Sequence, residues 1–173
     1  MTVSDIPTDD LNEIVTQSLT SVFDTMLSYS CEYRAHEDVT GKSLESPGLG
    51  GQPLVTSHVG SVGLVGELNG VVYLYMKTPF VTKAAERITG LSGEDLGDDI
   101  VADVCGELTN VFGGGLKNAL FDMGHNSMLT IPTVLSGDDL FLSTIGVRKH
   151  LRFDFTVDGE AVVADLVLAE PGA

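Results

Sequence analysis

The chain has 173 residues, 43% of them hydrophobic, with 25 acidic against 9 basic side chains and a formal net charge of −16. That length and apolar content fit one domain over residues 1–173 with a substantial core, and they argue against disorder. The charge repels phosphate backbones and anionic lipid, so neither nucleic acid nor a membrane surface is an expected partner, whereas a basic partner would be steered in.

The first residues, MTVSDIPTDDLNE, are acidic and lack the basic and apolar regions of a secretory leader. No later apolar run approaches membrane-spanning length. Cys31 and Cys105 are far apart and lack metal-type spacing, which points to reduced thiols and a cytoplasmic setting.

Asp9 to Ser28 reads as a long helix, because Leu11, Ile14, Val15, Leu19, Val22, Phe23, Met26 and Leu27 recur at helical spacing after the cap-like Thr8, Asp9 and Asp10. A short strand is expected over Cys31 to Ala35. Residues 36–53, rich in Gly, Ser and charge, read as a flexible loop. Val59 to Leu68 and Val71 to Met76 flank Asn69-Gly70, a dipeptide suited to a tight hairpin turn. Pro79 to Ile88 is a short helix closing at Gly90. A longer one begins near Asp98 and runs to about Met123, with Gly124 as its stop. Thr130 to Leu135 is a further strand, and Val147 to Val157 and Ala161 to Leu168 flank Asp158-Gly159 as a second hairpin. The order helix, strand, hairpin thus occurs twice. It predicts an α+β fold: a duplicated unit whose strands join one mainly antiparallel sheet, with the long helices packed on it.

Asp103, Glu107 and Asn110 fall at i, i+4 and i+7 of the later long helix and so share one face. Ile100, Val101, Val104, Leu108, Val111 and Phe112 form a separate arc, the expected core face. Gly114 lies within the polar arc, with Gly106 and Gly113 toward its edge. Each interior glycine costs about 1 kcal/mol relative to alanine, so the run Gly113 to Gly115 asks for a reason: close approach of a partner, or tight packing. Lys117, one or two turns beyond, is a candidate partner contact. In the first helix Asp9 and Glu13 repeat the acid spacing, but Thr16 stands where the amide would be. His36, His58, His125 and His150 show no metal-type clustering, and no nucleophile motif, phosphate loop or dinucleotide fingerprint is present.

Asp103, Glu107, Asn110 and Pro132 match the pattern D/S-x3-E-x2-N-x21-P, and the chain here resembles the CheC, CheX and FliY family of chemotaxis phosphatases. The segments Val62 to Gly66, Asn69 to Val72, Thr89-Gly90 and Ile131 to Val134 are similar to the family at matching places. A single complete motif on the later helix is the CheX-like arrangement. The resemblance implies a CheC-like fold and a two-component signalling role: hydrolysis of the aspartyl phosphate of a CheY-like response-regulator receiver domain. It implies catalytic roles for Glu107, as anchor to a lysine of the receiver, and for Asn110, which would orient the attacking water. Asp103, Gly114 and Lys117 would support partner contact. No cofactor is expected on this chain, and Mg2+ is expected in the partner receiver. A homodimer built by sheet extension is also implied. The alternative is a non-catalytic CheC-like module that docks a receiver or a flagellar-switch partner. An acid-pair hydrolase of small substrates is disfavoured, because only one carboxylate neighbours the amide.

Overall fold

Apolar residues three and four apart bury one face of the first helix, α1 (Thr8–Leu27), through Leu11, Val15, Leu19, Phe23 and Leu27. In the computed structural model, which describes residues 6–42, 57–138, 140, 144 and 146–169, α1 ends where Ser28 turns left-handed at φ 51° and its N–H returns to the Asp24 carbonyl. Strand β1 (Cys31–Asp38) follows. His36 to Asp38, expected in the loop, continue the strand because they pair with Phe153, Arg152 and Leu151. Val39 to Lys42 form a turn, and the part of that expected loop from residue 43 to 53 lies outside the described residues.

Strands β2 (Ser57–Gly66) and β3 (Asn69–Lys77) form the first hairpin. Its turn falls at Glu67-Leu68, not at Asn69-Gly70. Asn69 opens β3, and its side-chain oxygen accepts the Gly66 N–H at 3.0 Å. Gly70 is a strand residue whose missing Cβ leaves room for the Val167 carbonyl, so close strand approach, not a turn, explains that glycine. Helix α2 (Thr78–Thr89) closes on left-handed Gly90 as expected, and α3 (Asp98–Asp122) follows a short 3-10 turn at Gly93–Asp95. The strand expected over Thr130 to Leu135 is instead two, β4 (Ser127–Leu129) and β5 (Thr133–Gly137), interrupted at Thr130, Ile131 and Pro132. Strands β6 (Lys149–Val157) and β7 (Glu160–Ala169) make the second hairpin. Its turn is the expected one, with Asp158 and Gly159 at φ 48° and 82°.

The strands join one antiparallel sheet in the order β1-β6-β7-β3-β2-β4, with β5 also paired to β2. This order is palindromic. Exchanging α1, β1, β2 and β3 for α3, β4/β5, β6 and β7 returns the same arrangement, as a duplicated unit requires. Each half lends its lone edge strand to the other half's hairpin: β1 pairs β6, and β5 pairs β2. The helices lie on one face over a core that includes Phe23, Phe112, Phe153 and Phe155. Val111, expected in that core, is 38% exposed, while Cys105, Leu116 and Leu120 are fully buried.

The other face carries a small cluster of Val59, Tyr75 and Val163 under Leu140, and beside it a buried ionic group. Asp165, fully buried, accepts hydrogen bonds from Arg152 Nε at 2.8 Å, Arg152 Nη2 at 2.7 Å and the Tyr75 hydroxyl at 2.9 Å. His150 Nε2 lies 3.1 Å away. No helix is long and apolar enough to cross a membrane among the described residues.

Candidate functional site

Helix α3 starts after extended Gly97, and Asp98 and Asp99 in its first turn complement the positive end of the helix dipole. Its 25 residues span about 37 Å at the usual rise. Val101, Cys105, Leu108, Phe112 and Leu116 bury one side against the sheet and the other helices. That side fixes the opposite one. Asp103 and Glu107 are exposed, while Asn110, Gly114 and Lys117 are half-buried on the same ridge. The side chains of Asp103, Glu107, Asn110 and Lys117 have no hydrogen-bond or ion-pair partner among the described residues. Glu107 and Asn110 therefore stand one turn apart, held by a rigid helix and unengaged.

Four glycines lie in or near this ridge, and they divide by what a side chain would meet. A Cβ at Gly113 would come within 2.5 Å of Val62 Cγ1, and one at Gly115 within 3.2 Å of Ser18 Oγ on α1. At Gly106 it would touch Val134 Cγ2 at 3.4 Å. These three serve packing. At Gly114 it would meet nothing within 4 Å. Partner access thus remains as a reason for Gly114 alone.

The β4–β5 connection borders the ridge. Leu129 packs beside Gly113 and Val134 beside Gly106, so Thr130, Ile131 and Pro132 run along that flank of α3. Thr130 pins this segment to β2: its Oγ1 accepts the Gly63 N–H at 2.9 Å and its own N–H reaches the Gly63 carbonyl at 2.9 Å. Pro132 belongs to that arch and breaks the edge strand in two. Ile131 is 89% exposed. At the far end of the ridge Phe121 is 58% exposed. Sequence patterning missed both residues. Phe121 shares the angular position of Asp103 five turns on, a signal that was readable, but nothing local announces the exposure of a loop isoleucine.

The cysteines and histidines lie elsewhere. Burial pushes the Cys105 thiol up to about 12 and that of Cys31 up to about 11, values that leave both without thiolate at neutral pH. His36 bonds the Tyr33 hydroxyl, His58 bonds Thr78 and is pushed below the usual imidazole value by burial, and His150 belongs to the ionic group. Among the described residues no three His, Cys, Asp or Glu side chains are grouped to hold a metal. In α1 the residue equivalent to Asn110, Thr16, is half-buried and bonded to Asn12 at 3.5 Å, so the twin helix has no amide at that position.

A carboxylate and an amide on a convex ridge do not enclose a small substrate. They suit entry into a cleft that another molecule supplies, where the amide can hold a water and the carboxylate a cation.

The family model for the chemotaxis phosphatase CheX matches residues 58–156. The CheY-P phosphatase CheX of Thermotoga maritima is 29% identical over 109 residues, covering 58% of this chain and 70% of that protein. Among solved structures, a chemotaxis protein CheX from Desulfovibrio desulfuricans superposes with TM-score 0.76 at 18% identity, over 92% of this chain and 99% of that one. CheX in its complex with CheY, BeF3 and Mg2+ from Borrelia burgdorferi gives TM-score 0.68 at 19% identity, over 92% and 97%. These structural likenesses establish the fold.

Proposed function

The chain belongs to the chemotaxis phosphatase CheX family, and from that premise we propose that it hydrolyses the aspartyl phosphate of a CheY-like receiver domain. The observation that carries this reading is the pair Glu107 and Asn110, exposed or half-exposed on the ridge of α3 and without hydrogen-bond or ion-pair partners among the described residues. The relative from Thermotoga maritima is a CheY-P phosphatase, and the Borrelia burgdorferi neighbour is a complex with CheY. Both support the assignment of partner.

An acyl phosphate already has a good leaving group, so the missing ingredient is a water held in line with phosphorus. In this mechanism the Asn110 amide accepts from and donates to that water, aiming its lone pair at the phosphorus without adding charge. The water oxygen bonds to phosphorus, the phosphorus bond to the receiver's aspartyl oxygen breaks, and the products are inorganic phosphate and a free carboxylate. The water's proton passes to the phosphate product and solvent. Glu107, one turn earlier, pairs with a receiver lysine and sets the depth of entry. Mg2+ held by the receiver would neutralise charge on the phosphoryl oxygens, and this chain is not expected to add a cofactor of its own. A carboxylate in place of Asn110 would repel the phosphoryl group, which is why the amide belongs at that position. Asp103 and Lys117 border the same face as supporting contacts, and open Gly114 admits the partner's surface. Two free thiols support a cytoplasmic site of action.

The test is phosphoryl release from receiver domains of the same organism. Wild type accelerates release, and Asn110→Ala abolishes the gain while binding is retained. Equal hydrolysis by Asn110→Ala and wild type would sink the mechanism. Binding by wild type without any acceleration would instead make the protein a non-catalytic docking module.

A further inference from the structure

Two large apolar side chains stand in water at the ridge that carries Glu107 and Asn110: Phe121 near its end, and Ile131 on the β4–β5 connection that borders it. Ile131 is 89% exposed, the highest among the exposed large hydrophobics of the described residues, and Phe121 is 58% exposed. Neither is a loose end. Ile131 rides on an arch pinned to β2 by both Thr130 hydrogen bonds and pressed against α3 by Leu129 and Val134. Phe121 projects from the last turn of α3, whose end is held by the Met123 and Gly124 N–H groups bonding the Ala119 and Phe121 carbonyls at 3.2 and 2.9 Å. Apolar side chains presented in water on rigid supports lose little conformational freedom on binding, and such preorganised residues become interface anchors.

Their placement identifies the occupant. Ile131 belongs to the connection between Leu129, which reaches the Gly113 position of α3, and Val134, which reaches the Gly106 position, so it borders the stretch of helix that holds Asn110. Phe121 is eleven residues beyond Asn110, about 16 Å along the helix axis. Between them Gly114 has open space above it. A receiver-sized molecule entered by Glu107 and Asn110 and lying over open Gly114 would cover both apolar groups. We propose that Ile131 and Phe121 are the apolar anchors of the receiver-binding surface, and that they bury against apolar side chains bordering the receiver's acyl-phosphate cleft. This inference rests on the receiver as partner and names the surface that holds it. Charge and apolar contact then divide the work: Glu107 and Asn110 act inside the cleft, and the two anchors set how tightly the receiver is held outside it.

The deciding experiment titrates wild type, Ile131→Asp and Phe121→Ser against receiver domains of the same organism loaded with the phosphoryl mimic beryllofluoride. Phosphoryl release is measured in parallel, and the oligomeric state by sedimentation. Each substitution is expected to weaken binding about tenfold or more, the loss of a hot-spot side chain, and to raise KM correspondingly while kcat at saturation stays within about twofold of wild type. Asn110→Ala is expected to do the reverse. Unchanged affinity in both anchor variants overturns the inference while leaving the phosphatase assignment standing. If the variants convert a dimer to a monomer with receiver binding intact, the occupant is a second copy of this chain and the inference is overturned. If wild type binds receivers without speeding hydrolysis, the catalytic reading falls, and the affinities of the variants still decide the anchors. Failure of wild type to bind any receiver overturns both.

Discussion

Gly60 of β2 lies directly beneath Thr109 of α3, so close that a Cβ at residue 60 would overlap the Thr109 Oγ1. That hydroxyl is itself committed, donating to the Cys105 carbonyl at 2.8 Å, and Thr109 is fully buried next to Asn110 in sequence. Helix height over the sheet, and with it the position of Asn110, is therefore set by a missing methyl group. Gly60→Ala should lift or rotate α3, lowering stability by about 1–3 kcal/mol as overpacking does, and should cut receiver dephosphorylation more than receiver binding. Urea unfolding and phosphoryl-release assays check the two effects. A variant of full stability and full activity would show that the contact does not position the helix.

Adjacent glycines of α3 should respond with opposite signs. Gly114→Ala meets open space and removes helix-interior glycine, so it should stabilise the protein by about 0.5–1 kcal/mol. Gly113→Ala drives a methyl group toward Val62 and should destabilise by about 1–3 kcal/mol. Thermal unfolding of the pair measures the difference. If Gly114 is kept for its partner, the more stable Gly114→Ala protein is also the poorer receiver phosphatase.

Removing charge at Glu107 should act on recognition before chemistry. Glu107→Gln keeps the shape of an exposed side chain but removes the charge proposed to pair with a receiver lysine, so KM should rise about tenfold, in the range of a charge-assisted contact. Added salt should weaken the wild type toward the variant, because screening acts on the charge that only the wild type carries. Identical salt dependence of KM in the two proteins would argue that Glu107 meets no cation.

The ionic group behind the sheet governs acid stability. Burial pushes the Asp165 carboxyl up, but the Arg152 hydrogen bonds and the neighbouring His150 outweigh it and hold it net below the usual value. Its stabilising contribution is accordingly complete above the unfolded value, about 4, and is lost as pH falls through the lower folded value. Asp154, which burial pushes up, acts in the opposite sense and lowers stability as pH rises above its unfolded value. Asp165→Asn strands the Arg152 guanidinium and should cost about 3–5 kcal/mol, and it should erase the steep acid limb of a urea-midpoint profile against pH. A surviving acid limb of the same steepness would place that pH dependence in other carboxylates.

Among the described residues strand β1 ends the sheet as an eight-residue edge whose side chains after Cys31 are exposed. Unpaired backbone along such an edge favours addition of another strand, and sedimentation velocity should show a dimer. A monomer at every practical concentration would remove that expectation.

The helices were legible because a 3.6-residue apolar period, the acidic first turns of α1 and α3 and the glycine stop of α2 at Gly90 are all local signals. The second hairpin was legible for the same reason: Asp158-Gly159 needs positive φ and nothing distant competes for it. Asn69-Gly70 carries the same local code, yet β7 takes Gly70 into the central sheet, where the Val167 carbonyl needs the space. Val111 obeys the helical period but faces water, because α3 buries a wider arc on its other side, through Cys105, Thr109 and Leu116. For the candidate site, the sequence by itself determined the common face of Asp103, Glu107 and Asn110, a consequence of spacing on one helix. Which glycines fill gaps and which leaves one open, the split of the edge strand at Pro132, and the company of Ile131 and Phe121 were decided only by the tertiary structure. Those properties depend on which surfaces meet across residues distant in the chain, and no local period encodes such meetings.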